Sequence, residues 1–379
     1  MTTKARWLGL AAGLAALAAS GVPARAAEYP IGIMHALSGN VGFVGTTMAN
    51  GAILGAEEIN KNKVLGEDRI KLITEDTASD RNNAMTLVAK LATRDKVLMI
   101  IGPTSSIESL AAAPVANENG VPLYTPALSS DIFKSGPWAF KAMVGTDAYM
   151  QPVGRYVVET MKPKSVAIVF DRQNDSTVTQ KNFLKADLQK AGIQITSENG
   201  ILGTDTDFSV VGTKIASEKP EAVFLAAQAH VGANVMTQLK QAGLAPDTRL
   251  VGSMNLAAPT LIQLGGKAVE GLVLVGDFAP DGATNQQSRD FIEAYKARFG
   301  TPPDNFAAVG YAQMKVVASI LKTLGPNATR TQVRDMLTQK VKDVEVVLGT
   351  GSYSIGENRQ VQYTPALLKV DGGKFVGVK

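Results

Sequence analysis

The chain has no cysteine and only two histidines among its 379 residues. Without cysteine there are no disulfides, no thiolate nucleophile and no cysteine-based zinc site. His35 and His230 lack the partner spacing of a metal or catalytic motif, and no Walker lysine loop, G-x-G-x-x-G or G-x-S-x-G sequence occurs. These absences argue against an enzyme, which remains the competing class, and we expect neither a cofactor nor a metal ion.

Long apolar runs are also scarce, except near the beginning of the chain. Lys4 and Arg6 precede an apolar run from Trp7 to Ala19, and Ala24-Arg25-Ala26 provides a small-x-small cleavage site. This pattern predicts a signal peptide at residues 1–26 and a periplasmic mature protein, with an uncleaved anchor as the alternative. No later segment approaches the roughly 18 uninterrupted apolar residues of a transmembrane helix.

Excess charge of either sign is absent as well. The chain carries 38 basic and 34 acidic residues, a formal net charge of +4. Residues 1–26 hold three basic residues and no acidic one, so their removal lowers the charge to +1. A basic surface for nucleic acid or anionic membranes is therefore not expected.

Short β-branched runs alternate with amphipathic segments along the rest of the chain. A first series runs from Ile31–Met34 to Trp138–Ala142, and a second begins at Val166–Phe170. This alternation is typical of βαβ units on parallel sheets. Because single cores stop growing near 250 to 300 residues, we predict an α/β fold with two doubly wound parallel-sheet lobes.

The end of the chain departs from this alternation. Long helical patterns at Gln286–Phe299 and Phe306–Leu324 precede a strand-rich end from Val344 onward. Late helices that return to the first lobe would make the chain cross between the lobes more than once. The predicted N-terminal lobe comprises residues 27–147 plus about 278–347, and the C-terminal lobe comprises residues 148–277 plus about 348–379.

Two apolar strands, Val97–Ile101 and Val121–Tyr124, each run directly into small hydroxyl residues. These residues are Thr104, Ser105 and Ser106 after the first strand, and Thr125, Ser129 and Ser130 after the second. Since the carboxyl ends of parallel strands meet at one sheet edge, both turns would border one crevice. The N-terminus of a helix at Ile107–Asn117 would favour a carboxylate there. The alternative is that these serines only cap helices or close turns.

Five segments together carry a family resemblance: Ile31-Gly32-Ile33 to Ala36-Leu37-Ser38-Gly39 with Gly45, Ala56-Glu57-Glu58-Ile59-Asn60, Ile101-Gly102 to Ser106, Thr125-Pro126-Ala127 to Ser129, and Ala242-Gly243-Leu244. Their order and spacing resemble the periplasmic leucine/isoleucine/valine-binding protein family. The resemblance implies a type I periplasmic-binding fold whose lobes close on a small carboxylate ligand. It also implies delivery to an inner-membrane ABC permease, with a receptor for a sensor protein as the open alternative. A monomer suits such a shuttle.

The resemblance further implies positions for the ligand site. Groups that hold the ligand carboxylate correspond to Ser106, the backbone of Ala127, and Ser129, with Ser105 beside them. The positions that would wall the side-chain pocket are Phe43, Val44 and Phe306.

The second lobe departs from the family pattern where an amino-acid ligand would be covered. The acid that pairs with the ligand's ammonium corresponds to Met254, and two covering tyrosines correspond to Asp175 and Gln228. A buried ammonium without a counter-charge is costly. The sequence therefore favours an aromatic or hydrophobic organic acid without an amine, and a branched-chain amino acid is the alternative if Asp175 supplies the acid. Met254 as core filler and Asp175 as a helix cap are the competing interpretations.

Overall fold

Two sheets dominate the computed structural model, which describes residues 26–278, 280, 286–349 and 351–378. The first sheet contains β1 (Glu28–His35), β2 (Arg69–Asp76), β3 (Met99–Ile101), β4 (Leu123–Thr125) and β5 (Ala139–Lys141). All are parallel, in the order β2-β1-β3-β4-β5. The connecting helices are α1 (Gly42–Lys61), α2 (Arg81–Thr93) and α3 (Ser106–Glu118). The strand order therefore reverses between β1 and β3, where open α/β sheets bind ligands.

The second sheet repeats this order. Its parallel strands are β6 (Ser165–Asp171), β7 (Gln194–Ile201), β8 (Ala222–Ala226), β9 (Arg249–Gly252) and β10 (Val273–Gly276). They lie in the order β7-β6-β8-β9-β10, so this sheet has its own reversal between β6 and β8. Its helices are α4 (Thr146–Arg155), α5 (Asp175–Lys190), α6 (Ser209–Glu218), α7 (Ala229–Gln241) and α8 (Pro259–Gly265). The predicted pair of doubly wound lobes is confirmed.

The end of the chain contributes elements to both lobes. Helices α9 (Gln286–Phe299), α10 (Asn305–Leu324) and α11 (Arg330–Gln339) follow β10, and α10 packs along α1 of the first lobe. Strands β11 (Val344–Glu345), β12 (Ser352–Ile355) and β13 (Val361–Gln362) form a small antiparallel sheet. Strands β14 (Ala366–Asp371) and β15 (Lys374–Gly377) then extend the second sheet in antiparallel pairing. The second sheet is therefore mixed rather than wholly parallel.

Side-chain contacts suggest a lobe boundary later than residue 348. In β12, the Tyr353 hydroxyl lies 2.7 Å from the Tyr124 hydroxyl and donates to the Ala142 carbonyl at 3.1 Å. Arg359 donates to the carbonyls of Gly136 and Ala139. These partners belong to the first lobe. We therefore propose that the chain returns to the second lobe only near β14.

Glycines set the close approach of α1 and α10. A Cβ atom on Gly51 would lie 2.0 Å from the Ala307 carbonyl oxygen, and one on Gly310 would lie 1.9 Å from that of Met48. Only a residue without a side chain allows the two helix backbones this close. The packing fixes the late helices onto the first lobe.

A buried carboxyl group lies where crossover segments meet. The Tyr149 hydroxyl on α4 is 2.9 Å from both carboxylate oxygens of Asp277, and 2.7 Å from the Tyr363 hydroxyl. Asn305 Oδ1 accepts the backbone N–H groups of Asp277 and Phe278, at 2.6 and 3.0 Å. Burial raises the pKa of Asp277 to about 7. This junction between the lobes therefore contains a group that titrates near neutral pH.

The predicted signal peptide, residues 1–26, lies outside the described residues apart from Ala26. None of the helices in the described part of the chain is both long and apolar enough to cross a membrane.

Candidate functional site

A cavity lies between the lobes, beside the strand-order reversals of both sheets. Its polar residues from the first lobe are Thr104, Ser105 and Ser106, and those from the second lobe are Asn174, Ser176, Gln228 and Asn255. Apolar side chains, including Val44, Met254 and Phe306, complete the lining. The cavity is narrow, because the centre of a water molecule can move through only about 50 Å³ of it. It suits a compact ligand held between the lobes.

The start of α3 separates the roles of its two serines. Ser105 is the N-cap: its hydroxyl donates to Glu108 Oε2 at 2.6 Å and accepts the Glu108 N–H at 3.2 Å. The second of these bonds forms a capping box with the bond from the Ser105 backbone N–H to Glu108 Oε2, and the first uses the single hydroxyl proton of Ser105. Ser106 Oγ accepts the Leu128 N–H at 3.1 Å, which leaves its own proton available to a ligand. Ser106 can therefore act as a hydroxyl donor in the first-lobe wall.

Beneath this wall, hydroxyl groups connect the two turns. Thr125 Oγ1 donates to the Pro103 carbonyl at 3.1 Å, accepts the Ala127 N–H at 3.2 Å, and lies 2.5 Å from Ser109 Oγ. These bonds tie the segment after β3 to the segment after β4. The two turns are thereby held as one surface before any ligand arrives.

The second-lobe wall is built from uncharged amide and hydroxyl groups. Asn174 caps α5 by accepting the Ser176 N–H at 3.0 Å. Gln180 Nε2 donates to Ser176 Oγ and to Asn255 Oδ1, both at 2.8 Å. Gln228 occupies the N-cap position of α7, but its side chain makes no capping hydrogen bond. This wall can form hydrogen bonds with a ligand but offers it no formal charge.

The electrostatics of the cavity favour an anion. The first turns of α3 and α5 contribute to the lining, and Gln228 is the N-cap of α7. The N-terminal end of a helix carries roughly half a positive charge and has N–H groups without helical partners. Among the described residues of the lining, none is Asp, Glu, Lys, Arg or His. A carboxylate therefore meets three positive helix ends and no charged side chain.

The structure brings six of the ten predicted site residues into this cavity, and they are Val44, Ser105, Ser106, Gln228, Met254 and Phe306. Ser129 and Asp175 line a separate groove between the lobes, which shares Leu128 with the cavity. Ala127 is 1% exposed, and its N–H is bonded to Thr125. Phe43 is 38% exposed and is not among the described residues of the lining.

Sequence reasoning missed Asn174, Ser176 and Asn255 in the second lobe, and it also missed Lys141 in β5. Lys141 is 1% exposed, and its ammonium donates to the Leu128 carbonyl at 2.6 Å and to Ser130 Oγ at 3.4 Å. Burial lowers the pKa of Lys141 to about 8. The available signal was a lone lysine inside an apolar strand, between Phe140 and Ala142.

The two histidines do not form a catalytic centre. His35 is fully buried, its Nδ1 lies 3.1 Å from Thr104 Oγ1, and burial lowers its pKa to about 3. Burial also lowers the pKa of His230. Within the ranges that the structure describes, no three His, Cys, Asp or Glu side chains form a metal-binding group. The site geometry is that of a binding cleft.

Known proteins show the same architecture. The model of a family described as periplasmic binding protein matches residues 28–374. Leu/Ile/Val-binding protein homolog 3 of Brucella melitensis is 27% identical over 356 residues, which cover 93% of this chain and 94% of that protein.

Two solved structures are also similar to this chain. A leucine binding protein from Thermotoga maritima superposes with a TM-score of 0.84 at 25% identity, covering 93% of this chain and 98% of that one. A solute binding protein of an ABC transporter from Rhodopseudomonas palustris, in complex with 3,4-dihydroxybenzoic acid, gives a TM-score of 0.82 at 23% identity, covering 93% and 96%. The chain therefore belongs to the periplasmic binding protein family, among the substrate-binding proteins of branched-chain amino acid ABC transporters, which are not enzymes.

Proposed function

We propose that this protein captures a small carboxylate with an aromatic or otherwise hydrophobic body and no amine, and that it presents the ligand to an inner-membrane ABC permease. One observation carries the proposal. The described lining of the cavity has no charged side chain, while three helix N-termini and the Ser106 hydroxyl favour an anion. Apolar walls at Val44, Met254 and Phe306 suit the hydrophobic body.

The position of the missing acid argues against an ammonium group. Met254 is buried and lies in the lining, where the family resemblance places the acidic partner of an amino-acid ligand. Asp175, the candidate replacement, is exposed and lines the separate groove. An ammonium enclosed in the cavity would lose its hydration without gaining a counter-charge, which costs several kcal/mol.

A branched-chain amino acid is the second candidate. The Leu/Ile/Val-binding protein homolog of Brucella melitensis and the leucine binding protein of Thermotoga maritima favour it by their similarity to this chain. In that case the ammonium would have to be bound by neutral groups such as Gln228 and Asn255. The two candidates therefore differ in one chemical group of the ligand.

Lobe closure is the proposed mechanism. The carboxylate docks first at Ser106, because α3 and its neighbouring turn are already tied together by Thr125. The second lobe then closes about the crossovers near Asp147 and Asp277, and the exclusion of water strengthens the polar contacts. We propose that the mature protein acts in the periplasm as a monomer, and that the permease binds the closed form.

Matched ligand pairs provide the test. Thermal unfolding is measured with 4-methylpentanoate against L-leucine and with 3-phenylpropanoate against L-phenylalanine, and the members of each pair differ only in the amine. A ligand at a thousandfold excess over Kd stabilises the native state by about 4 kcal/mol, which a melting curve resolves. We expect shifts with the acids that lack an amine. Shifts confined to L-leucine and L-phenylalanine would reject this proposal and support the second candidate.

A further inference from the structure

Among the residues that the structure describes, the buried ammonium of Lys141 has no carboxylate hydrogen-bond partner. Its two hydrogen-bond acceptors, the Leu128 carbonyl and Ser130 Oγ, are both neutral. In the described part of the chain, no carboxylate lies within 4 Å of it in an ion pair. A buried cation paired only with neutral groups retains an unfavourable desolvation energy, which a nearby anion would relieve.

One partner of Lys141, Leu128, belongs to the wall of the ligand cavity, and the other, Ser130, lines the adjoining groove. Leu128 lines the cavity, its N–H donates to Ser106 Oγ, and its carbonyl accepts from Lys141. That carbonyl and the Ser129 N–H belong to one peptide unit, and the only cis peptide in the described residues joins Gly102 to Pro103. In a trans peptide the carbonyl and the N–H point in opposite directions. The Ser129 N–H therefore points away from Lys141, and the ammonium polarises it as a donor.

We propose that Lys141 is the buried counter-charge for the ligand carboxylate, and that it acts through the peptide between Leu128 and Ser129 rather than by touching the ligand. Lys141 is thus a positioning residue that sets the preference for a charged ligand. The inference rests on carboxylate binding at the proposed site. It does not depend on whether the ligand also carries an amine.

The other charged groups around Lys141 are few. Asp147, at the start of α4, raises the pKa of Lys141, in opposition to the stronger effect of burial. Asp131 is paired with Lys134 at 3.0 Å on the turn of 3-10 helix that follows Ser129. Glu108 on α3 accepts a hydrogen bond from Ser105. Asp175 of the second lobe lines the groove that also contains Ser129 and Ser130. A change of carboxylate affinity with pH must therefore be checked against these four acids.

The test compares carboxylates with the corresponding amides, which lack the carboxylate charge, by isothermal titration calorimetry. The probes are benzoate against benzamide, and L-leucine against L-leucinamide. Lys141→Met removes the charge and keeps the length of the apolar stem. Lys134→Met is the matched control, because it removes the same charge from the neighbouring turn of 3-10 helix at a side chain that is 78% exposed.

We expect Lys141→Met to weaken carboxylate binding by about tenfold or more, the effect of one unit charge acting over roughly 10 Å at an effective dielectric constant near 20. Benzamide should change by less than about threefold because it is uncharged, and L-leucinamide, a cation, should not lose affinity when a buried positive charge is removed. Lys134→Met should leave both unchanged. Equal losses for the carboxylate and the amide would mean that Lys141 only supports the loop, and would overturn the inference.

A pH series on the wild type needs no variant and decides the matter if Lys141→Met does not fold. The affinity for benzoate should fall as the pH rises through the pKa of Lys141, about 8, while the affinity for benzamide stays constant. A flat carboxylate profile between about pH 7 and pH 9.5 would overturn the inference. If the protein binds L-leucine but not benzoate, and Lys141→Met weakens that binding, only the proposed function is rejected. If it binds neither ligand, the proposed function and the role of Lys141 are both rejected.

Discussion

Replacing Asp277 by asparagine should change how the stability of the protein depends on pH. Burial raises the pKa of this carboxyl group from an ordinary value of 3.8 to about 7. The folded protein therefore holds the proton more tightly than the unfolded chain does. Its contribution to stability is fully present below about pH 4 and is lost as the pH rises through about 7.

The size of the effect follows from the shift in pKa. One pKa unit corresponds to 1.36 kcal/mol, so a shift of roughly three units changes the free energy of unfolding by about 4 kcal/mol. Asparagine keeps an oxygen that can accept from the Tyr149 hydroxyl, but it never ionises. Relative to the wild type, Asp277→Asn should therefore become more stable by about 4 kcal/mol between pH 4 and pH 8.

Urea denaturation of both proteins, followed by circular dichroism at one-unit steps of pH, measures this difference directly. Comparing the variant with the wild type at each pH cancels the contributions of the other acids. Asp247→Asn, at an exposed position of the second lobe, is the control for loss of a carboxyl group. A difference between Asp277→Asn and wild type that stays constant from pH 4 to pH 8 would refute the assignment of a raised pKa.

Three further predictions concern the cavity and the helix packing. Ser106→Ala should weaken carboxylate binding by about tenfold to a hundredfold in calorimetry, because a hydrogen bond to a charged group is worth roughly 1.5–3 kcal/mol. Met254→Glu should allow L-leucine to bind, since it places an acid in the cavity lining at the position of the family's ammonium partner. Gly310→Ala should lower the melting temperature although alanine favours helices, because its Cβ would lie 1.9 Å from the Met48 carbonyl oxygen.

Each of these predictions has its own control. Ser105→Ala should cost about 1 kcal/mol of stability through loss of the cap but should leave affinity nearly unchanged. If it weakened binding as much as Ser106→Ala did, the division of roles between the two serines would be wrong. Met254→Gln has nearly the same shape as the glutamate variant but no charge. A gain of L-leucine binding with glutamine would show that the negative charge is not the cause. A higher melting temperature for Gly310→Ala would show that α1 and α10 can separate freely.

The alternation of strands and helices in the sequence was enough to predict both lobes. Two βαβ series with a late return of helices define the doubly wound sheets, and these sheets place the starts of α3, α5 and α7 at one interlobe cleft. The close approach of α1 and α10 was not predictable. Gly51 and Gly310 lie inside helical patterns, and their packing depends on segments more than 250 residues apart.

Side-chain direction limited the prediction of the site. Ser105 and Ser106 are adjacent serines at a helix start, and sequence alone does not say which hydroxyl is used by the cap. Asp175 follows the N-cap of α5, and one residue decides whether a side chain faces the cavity or the neighbouring groove. The burial of Lys141 was not predictable either, because a lysine in a short strand usually extends its ammonium group into solvent. Only the packing of β5 shows that it does not.

Selectivity for charge and selectivity for shape have different origins in this cavity. In the proposed function, the preference for charge comes from fixed groups, which are three helix N-termini, the Ser106 hydroxyl and the buried Lys141, and these groups cannot adapt to a neutral ligand. Shape is set by apolar walls that include Met254, whose flexible thioether adjusts to different bodies. A change of one methylene against such walls alters binding by only about 1–3 kcal/mol. The ligand's carboxylate should therefore be strictly required, whereas its hydrophobic body can vary, and this combination fits an importer that serves a class of related acids.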